Sequence, residues 1–213
     1  MQSQDWYHLV VRTVGLLATV NLDQPFDFAN ACPSCGAGAI PVPPLFIDAA
    51  RMGKSLDLTA HDGRLIVRRE LAESIRSLRL TGVQFLPVAH KTRTRIRADE
   101  RYEWLEPAFE WPPLAASSVV VLEDQCVACR RSGHFDSTSP PTALHYLDLP
   151  ESPADFGATH EYFGRWRAPG KRSANVGGGR FLIVSEGFRQ ALLTAKVRHV
   201  DFEPVHILRG DAA

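Results

Sequence analysis

All four cysteines of this chain fall in two Cys-x-x-Cys turns, Cys32-Pro33-Ser34-Cys35-Gly36 and Cys126-Val127-Ala128-Cys129. Such a turn presents two sulfurs from one short loop, and two turns supply a complete Zn(Cys)4 shell with Zn–S bonds of about 2.3 Å. Pro33 rigidifies the first turn, and Gly36 frees the backbone so that amides can point at the thiolates. The second turn runs on into Arg130-Arg131-Ser132-Gly133, whose arginines can offset part of the double negative charge of a Zn(Cys)4 centre. His134, five positions after Cys129, is a candidate substitute ligand. Paired knuckles usually lie about 15–20 residues apart, whereas 90 residues separate Cys35 from Cys126. One structural zinc per chain, held by Cys32, Cys35, Cys126 and Cys129, would therefore clasp distant segments together. Reduced, metal-free thiols are a second reading. Disulfide or redox chemistry is a third, although neither pair sits at a strand-to-helix junction of the thioredoxin kind.

A repeat accompanies the cysteines. Leu65-Ile66-Val67, Arg69–Leu80 and Val83–Val88 align without a gap, at an offset of 117, with Leu182-Ile183-Val184, Glu186–Val197 and Val200–Val205. Both stretches end in Phe-x-Pro-Val. Each reads as a buried strand, an amphipathic helix and a second strand. Leu71, Ile75 and Leu78 make one apolar stripe, and Phe188, Leu192 and Ala195 make the other. Ser185 is the expected N-cap of the second helix, and Thr81-Gly82 the expected stop of the first. Each unit follows one Cys-x-x-Cys pair, so the chain reads as a duplication of residues 1–110 and 111–213 within a single integrated domain. The expected fold is α+β: a mixed β-sheet with helices mainly on one face, built from two strand-helix-strand units, the paired knuckles forming a zinc clasp.

Between the units, Lys91-Thr92-Arg93-Thr94-Arg95-Ile96-Arg97 alternates strictly, which on one strand puts four cations on one face. Tyr102–Leu105 continues a strand, Pro107, Pro112 and Pro113 mark a connector, and Val119–Leu122 reads as another buried strand. Ala168–Gly179 reads as a loop.

Taken together, these segments resemble the double-CXXCG motif family, abundant as paralogues in myxobacteria. The resemblance rests on Cys32–Gly36, Leu65–Val88, Cys126–Cys129 and the closing segment Phe181–Val205, and it departs from the pattern where Arg130 replaces the second glycine. The closing segment is also similar to the C-termini of immunity proteins from polymorphic toxin systems. The resemblance implies a zinc-binding cytosolic protein and, for some members, a non-catalytic role in neutralising a cognate toxin.

Composition sets limits on the alternatives. The 24 basic and 24 acidic residues cancel, which removes the general electrostatic case for nucleic-acid or membrane-surface binding. No apolar run approaches the roughly 18–20 residues that span a bilayer. Met1–Asp5 carries no positive charge ahead of the short apolar stretch Val14–Val20, so no secretion signal is expected and the expected location is cytoplasmic. Two segments suit a protein partner such as a toxin: the stripe Arg93, Arg95 and Arg97, flanked by Lys91 and Arg101, and the segment Glu161–Arg167, with Tyr162, Arg165 and Trp166. For each, the plainer reading is a solvated strand face or ordinary core aromatics. A zinc-knuckle nucleic-acid or regulatory protein is the alternative function, drawing on the local basicity of Lys91–Arg101. An enzyme is not expected: four thiolates would close a zinc shell, and the chain has no His-Glu-x-x-His, Gly-x-Ser-x-Gly or P-loop motif.

Overall fold

The computed structural model describes residues 5–12, 24–47, 57–61, 64–92, 94–118, 125–133, 144–149, 151–163 and 179–208. In chain order the strands begin with Trp6–Val11 (β1), Phe26–Asp27 (β2), Ile40–Pro41 (β3), Leu45–Ile47 (β4), Leu58–His61 (β5) and Arg64–Arg68 (β6). Helix Arg69–Ser77 (α1) leads to Val83–Lys91 (β7), Ile96–Pro107 (β8), Ser132–Gly133 (β9), Leu144–Tyr146 (β10), Phe156–Ala158 (β11), Tyr162–Phe163 (β12) and Leu182–Ser185 (β13). Helix Glu186–Thr194 (α2) and Val200–Ile207 (β14) follow. The described residues are mixed α+β, mostly strands with two helices.

Both helices form where the repeat places them, and both stop three residues earlier than the periodicity predicts. Arg79 and Lys196 take the left-handed conformation at the same φ of 54°, which ends the helix although neither is glycine. Ser185 caps α2, its Oγ accepting the Phe188 N–H at 3.2 Å, whereas Arg68 makes no side-chain cap for α1. Gly82 is not the helix stop. It sits at φ 78°, where a Cβ would lie 2.3 Å from the Phe156 carbonyl oxygen, so the turn after α1 presses directly on β11.

Instead of one mixed sheet there are two five-stranded sheets, ordered β4-β7-β8-β6-β5 and β10-β14-β1-β13-β11. Their registers coincide. Leu65, Ile66 and Val67 face Leu105, Trp104 and Glu103 of β8, as Leu182, Ile183 and Val184 face Leu9, His8 and Tyr7 of β1. On the other side Phe85, Leu86 and Pro87 face Leu105, Trp104 and Glu103, as Phe202, Glu203 and Pro204 face Leu9, His8 and Tyr7. The outer parallel pair Leu45↔Val88 corresponds to Leu144↔Val205, and the edge pair Leu58↔Val67 to Phe156↔Val184. Setting aside the short pairs β2–β3 and β9–β12, the described elements follow in two passes: β1, the first knuckle, β4, β5 and β6-α1-β7, and then β8, the second knuckle, β10, β11 and β13-α2-β14. Each pass gives its first strand to the other pass's sheet.

The shared core follows from that exchange. Leu65, Val67, Leu71, Ile75 and Leu105 join Leu182, Val184, Phe188, Leu192 and Leu9 in one buried cluster between the sheets. Each helix buries the first two residues of its expected stripe there, whereas the third, Leu78 or Ala195, falls at the C-cap of the shortened helix and is exposed. Truncating a buried side chain such as Ile75 to alanine there costs about 2–5 kcal/mol. Each sheet also carries a cluster on its far face: Leu45, Ile47, Ile66, Val88, Tyr102 and Trp104 on the first; Leu144, Tyr146, Ile183, Val205, Trp6 and Trp111 on the second. The outer strands are capped at corresponding positions. The Phe46 N–H donates to Gln24 Oε1 at 2.7 Å, and the His145 N–H to Ser118 Oγ at 3.0 Å. Occupying these edge donors discourages strand addition.

Candidate metal centre

The first knuckle is a tight loop closed by its own backbone. The Cys32 N–H donates to the Ala37 carbonyl and the Gly36 N–H to the Cys32 carbonyl, each at 2.8 Å, with Gly36 at φ 74°. The second knuckle repeats the latter of these bonds. The Arg130 N–H donates to the Cys126 carbonyl at 2.7 Å, and Arg130 accepts a φ of 56°. The missing glycine therefore leaves the loop geometry intact.

These loops bring four sulfurs together. Cys32 Sγ lies 3.9 Å from Cys126 Sγ, and Cys35 Sγ lies 3.6 Å from Cys129 Sγ. All four fall within 4.8 Å of one another. A tetrahedron of sulfurs around an ion, with bonds of about 2.3 Å, has edges of about 3.8 Å. The cluster has that size, so it can hold one metal ion. Both cross-knuckle pairs are far outside the roughly 2.05 Å of a disulfide, and none of the four cysteines is disulfide-bonded.

The Cys32 and Cys129 thiols, one from each knuckle, are shifted in opposite directions. Burial alone would raise the Cys32 thiol, but backbone hydrogen bonds from Cys35 and Ser34 and the neighbouring thiols bring it down to about 7, toward the thiolate that binds metal. Burial pushes Cys129 up, partly countered by the Arg131 N–H, 3.4 Å from its sulfur. The Arg131 guanidinium, which the sequence offers as a counter-charge to the sulfurs, pairs with Glu110 Oε2 at 2.6 Å.

Glu110 is the residue that sequence reasoning missed. Its carboxylate also meets His160 Nδ1 at 2.9 Å and the Arg180 guanidinium at 3.0 Å. Arg131 and Arg180 each lie 5.3 Å from the Tyr162 ring centroid. This network ties the second knuckle to β12 and to the start of β13. It joins residues up to 70 positions apart, and no local periodicity announces it.

The other candidate residues are distributed as follows. Arg95 and Arg97 are exposed, but they do not share one strand with Lys91. Thr92 and Arg95 close a turn, the Thr92 N–H donating to the Arg95 carbonyl at 2.8 Å, and Lys91 then faces Ile96 while His90 faces Arg97. The strict alternation is therefore split by a hairpin tip. Arg101 is engaged by Asp99 at 2.6 Å. Tyr162 is half-buried in β12, away from that hairpin in the chain's sheet order. Arg93, His134, Arg165, Trp166, the stretch Val119–Leu122 and Ala168–Gly178 lie outside the described residues. No described helix is long and apolar enough to cross a membrane. No protein-family model matches this chain, and no curated protein matches it.

Proposed function

We propose that the chain is a zinc-binding, non-catalytic protein of the immunity type, which binds and neutralises a cognate toxin in the cytoplasm. The observation that carries the metal part is the set of four sulfurs at tetrahedral spacing, drawn from two knuckles 90 residues apart. Four thiolates suit zinc among divalent ions, and a closed shell of four leaves no position for substrate or activated water. Cys32, Cys35, Cys126 and Cys129 hold the ion, and its task is to fix the two passes of the chain against each other.

The same-order, same-register sheets support reading the chain as an internal duplication. The boundary then belongs in the Thr92–Arg95 turn instead of after residue 110, because β8 begins the second pass. A body fastened in this way is pre-organised, which lowers the ordering cost of binding a partner. Arg95 and Arg97 on the exposed β7–β8 hairpin suit an acidic partner surface, as does Tyr162 beside its two arginines for a mixed one.

The test is co-expression with the toxin-type open reading frame adjacent to the gene. Protection of the host, together with a stable complex between the purified proteins, supports immunity. A harmless neighbour, or a toxin the chain does not restrain, counts against it. The alternative of nucleic-acid binding draws on the same basic hairpin and predicts steeply salt-dependent retention on a polyanion.

A further inference from the structure

The second sheet carries a pair of imidazoles that the cysteine cluster does not use. His145 of β10 and His206 of β14 stand directly opposite each other in the parallel pairing, so both side chains leave the same face of the sheet. Their rings meet edge to face with centroids 5.2 Å apart. Imidazole–metal bonds are about 2.0–2.1 Å, so two ligand nitrogens on one ion stand roughly 3 Å apart. His145, on the outer strand of the sheet, is half-buried, and His206, on the neighbouring strand, is exposed.

His145 is held in place. Its carbonyl accepts the Ala115 N–H at 2.8 Å and the Ser118 hydroxyl at 3.1 Å, and its N–H donates to the same hydroxyl oxygen. Its ring Nδ1 lies 3.1 Å from Ser117 Oγ. Metal-ligating histidines ordinarily bond their second nitrogen to such an outer partner, which fixes the tautomer and the ring direction. Nε2 of His145 is left for an ion. In the first sheet the corresponding positions are Phe46 and Ala89, so the fold itself does not require imidazoles here.

We propose that His145 and His206 form a two-imidazole site for a divalent transition-metal ion of the nickel, copper or zinc class, with water completing the shell. Imidazole nitrogen suits these ions. With two protein ligands the site remains open and exchanges its ion freely, unlike the closed thiolate cluster. It does not depend on the immunity reading.

Titration of the untagged, zinc-loaded full chain with Ni2+ tests this, read by calorimetry and by the imidazole signals in NMR. One equivalent of Ni2+ should bind, with the His145 and His206 signals broadening before those of the other histidines. Affinity should fall at least ten-fold in His206→Ala, whose exposed side chain can be removed without unfolding the protein. No uptake by the wild-type chain, equal uptake by His206→Ala, or earlier broadening at other histidines would each overturn the proposal. The NMR order needs no variant, so it decides the matter even if a substitution disturbs folding.

Discussion

Gly36 and Arg130 occupy the same place in the two knuckles. Each is the residue after the second cysteine, each sits at positive φ (74° and 56°), and each donates its N–H to the carbonyl of the first cysteine. Only one has the side chain suited to that backbone. A non-glycine residue in the left-handed region costs roughly 1 kcal/mol. Arg130→Gly should therefore stabilise the metal-loaded protein by about 0.5–1 kcal/mol, and Gly36→Ala should destabilise it by about 1 kcal/mol. Denaturant midpoints for the two variants check this. Destabilisation by Arg130→Gly would mean that the arginine side chain itself supports the knuckle.

Asp155 links the two passes. Its Oδ2 accepts the Thr81 N–H and hydroxyl, both at 2.9 Å, and its Oδ1 accepts the Ser185 hydroxyl at 2.7 Å. Burial works to raise this carboxyl, but those hydrogen bonds outweigh it and hold the group below the usual range. A depressed carboxyl contributes stability above its unfolded value of about 3.9, lost as pH falls through the folded value. Because the carboxylate is only half-buried, Asp155→Ala should cost about 1–2 kcal/mol at neutral pH. The difference from wild type should shrink in strong acid. A variant as stable as wild type at pH 7 would remove Asp155 from this role.

His8 supplies a second pH dependence, of larger amplitude. It lies in β1 with its side chain 8% exposed, Nδ1 3.2 Å from Glu203 Oε2, and its ring 4.6 Å from that of Phe181. Burial lowers it from 6.5 to about 4, and burial likewise raises the facing Glu203, so the neutral imidazole is the folded form. The unfolded chain binds a proton that the folded one refuses, and stability present above pH 6.5 is lost between 6.5 and about 4. The loss amounts to about 3 kcal/mol at most. His8→Phe should flatten stability across that window. An unchanged slope in the variant would place the acid sensitivity elsewhere.

Several of these features were legible in the sequence and several were not. The strand-helix-strand units and their apolar stripes were readable because Leu71 and Ile75, or Phe188 and Leu192, lie a helical turn apart on a buried face. The cysteine pairs were readable because ligand chemistry restricts residue type and local spacing. Strand β1 was not. Trp6–Val11 is a short, mostly apolar run that periodicity cannot assign, and its place at the centre of a sheet depends on pairing with residues 173 to 197 positions away. Without it the sequence points to one main sheet, where the described residues form two five-stranded ones. The Glu110 network was hidden for the same reason. The helix ends were misplaced because Arg79 and Lys196 adopt a conformation usually marked by glycine.

Exchange of centre strands makes a prediction about fragments. Residues 1–93 and 94–213, produced separately, each lack the central strand of the sheet built from their remaining strands. Neither should fold alone, because each sheet would be left without its middle pairing. Mixed with zinc, they should form a one-to-one complex with the circular dichroism of the intact chain. Independent cooperative folding of residues 1–93 would show that β8 is dispensable to its sheet.

The zinc clasp itself is tested most directly by the metal content and thiol reactivity of the full chain, purified without added metal and dialysed against a mild chelator. The expected result is about one tightly held zinc per chain, with all four thiols protected until a strong chelator strips the ion. Cys32→Ser or Cys126→Ser should lose both the zinc and several kcal/mol of stability. A metal-free protein whose four thiols titrate freely, and whose serine variants unfold at the wild-type midpoint, would contradict the account.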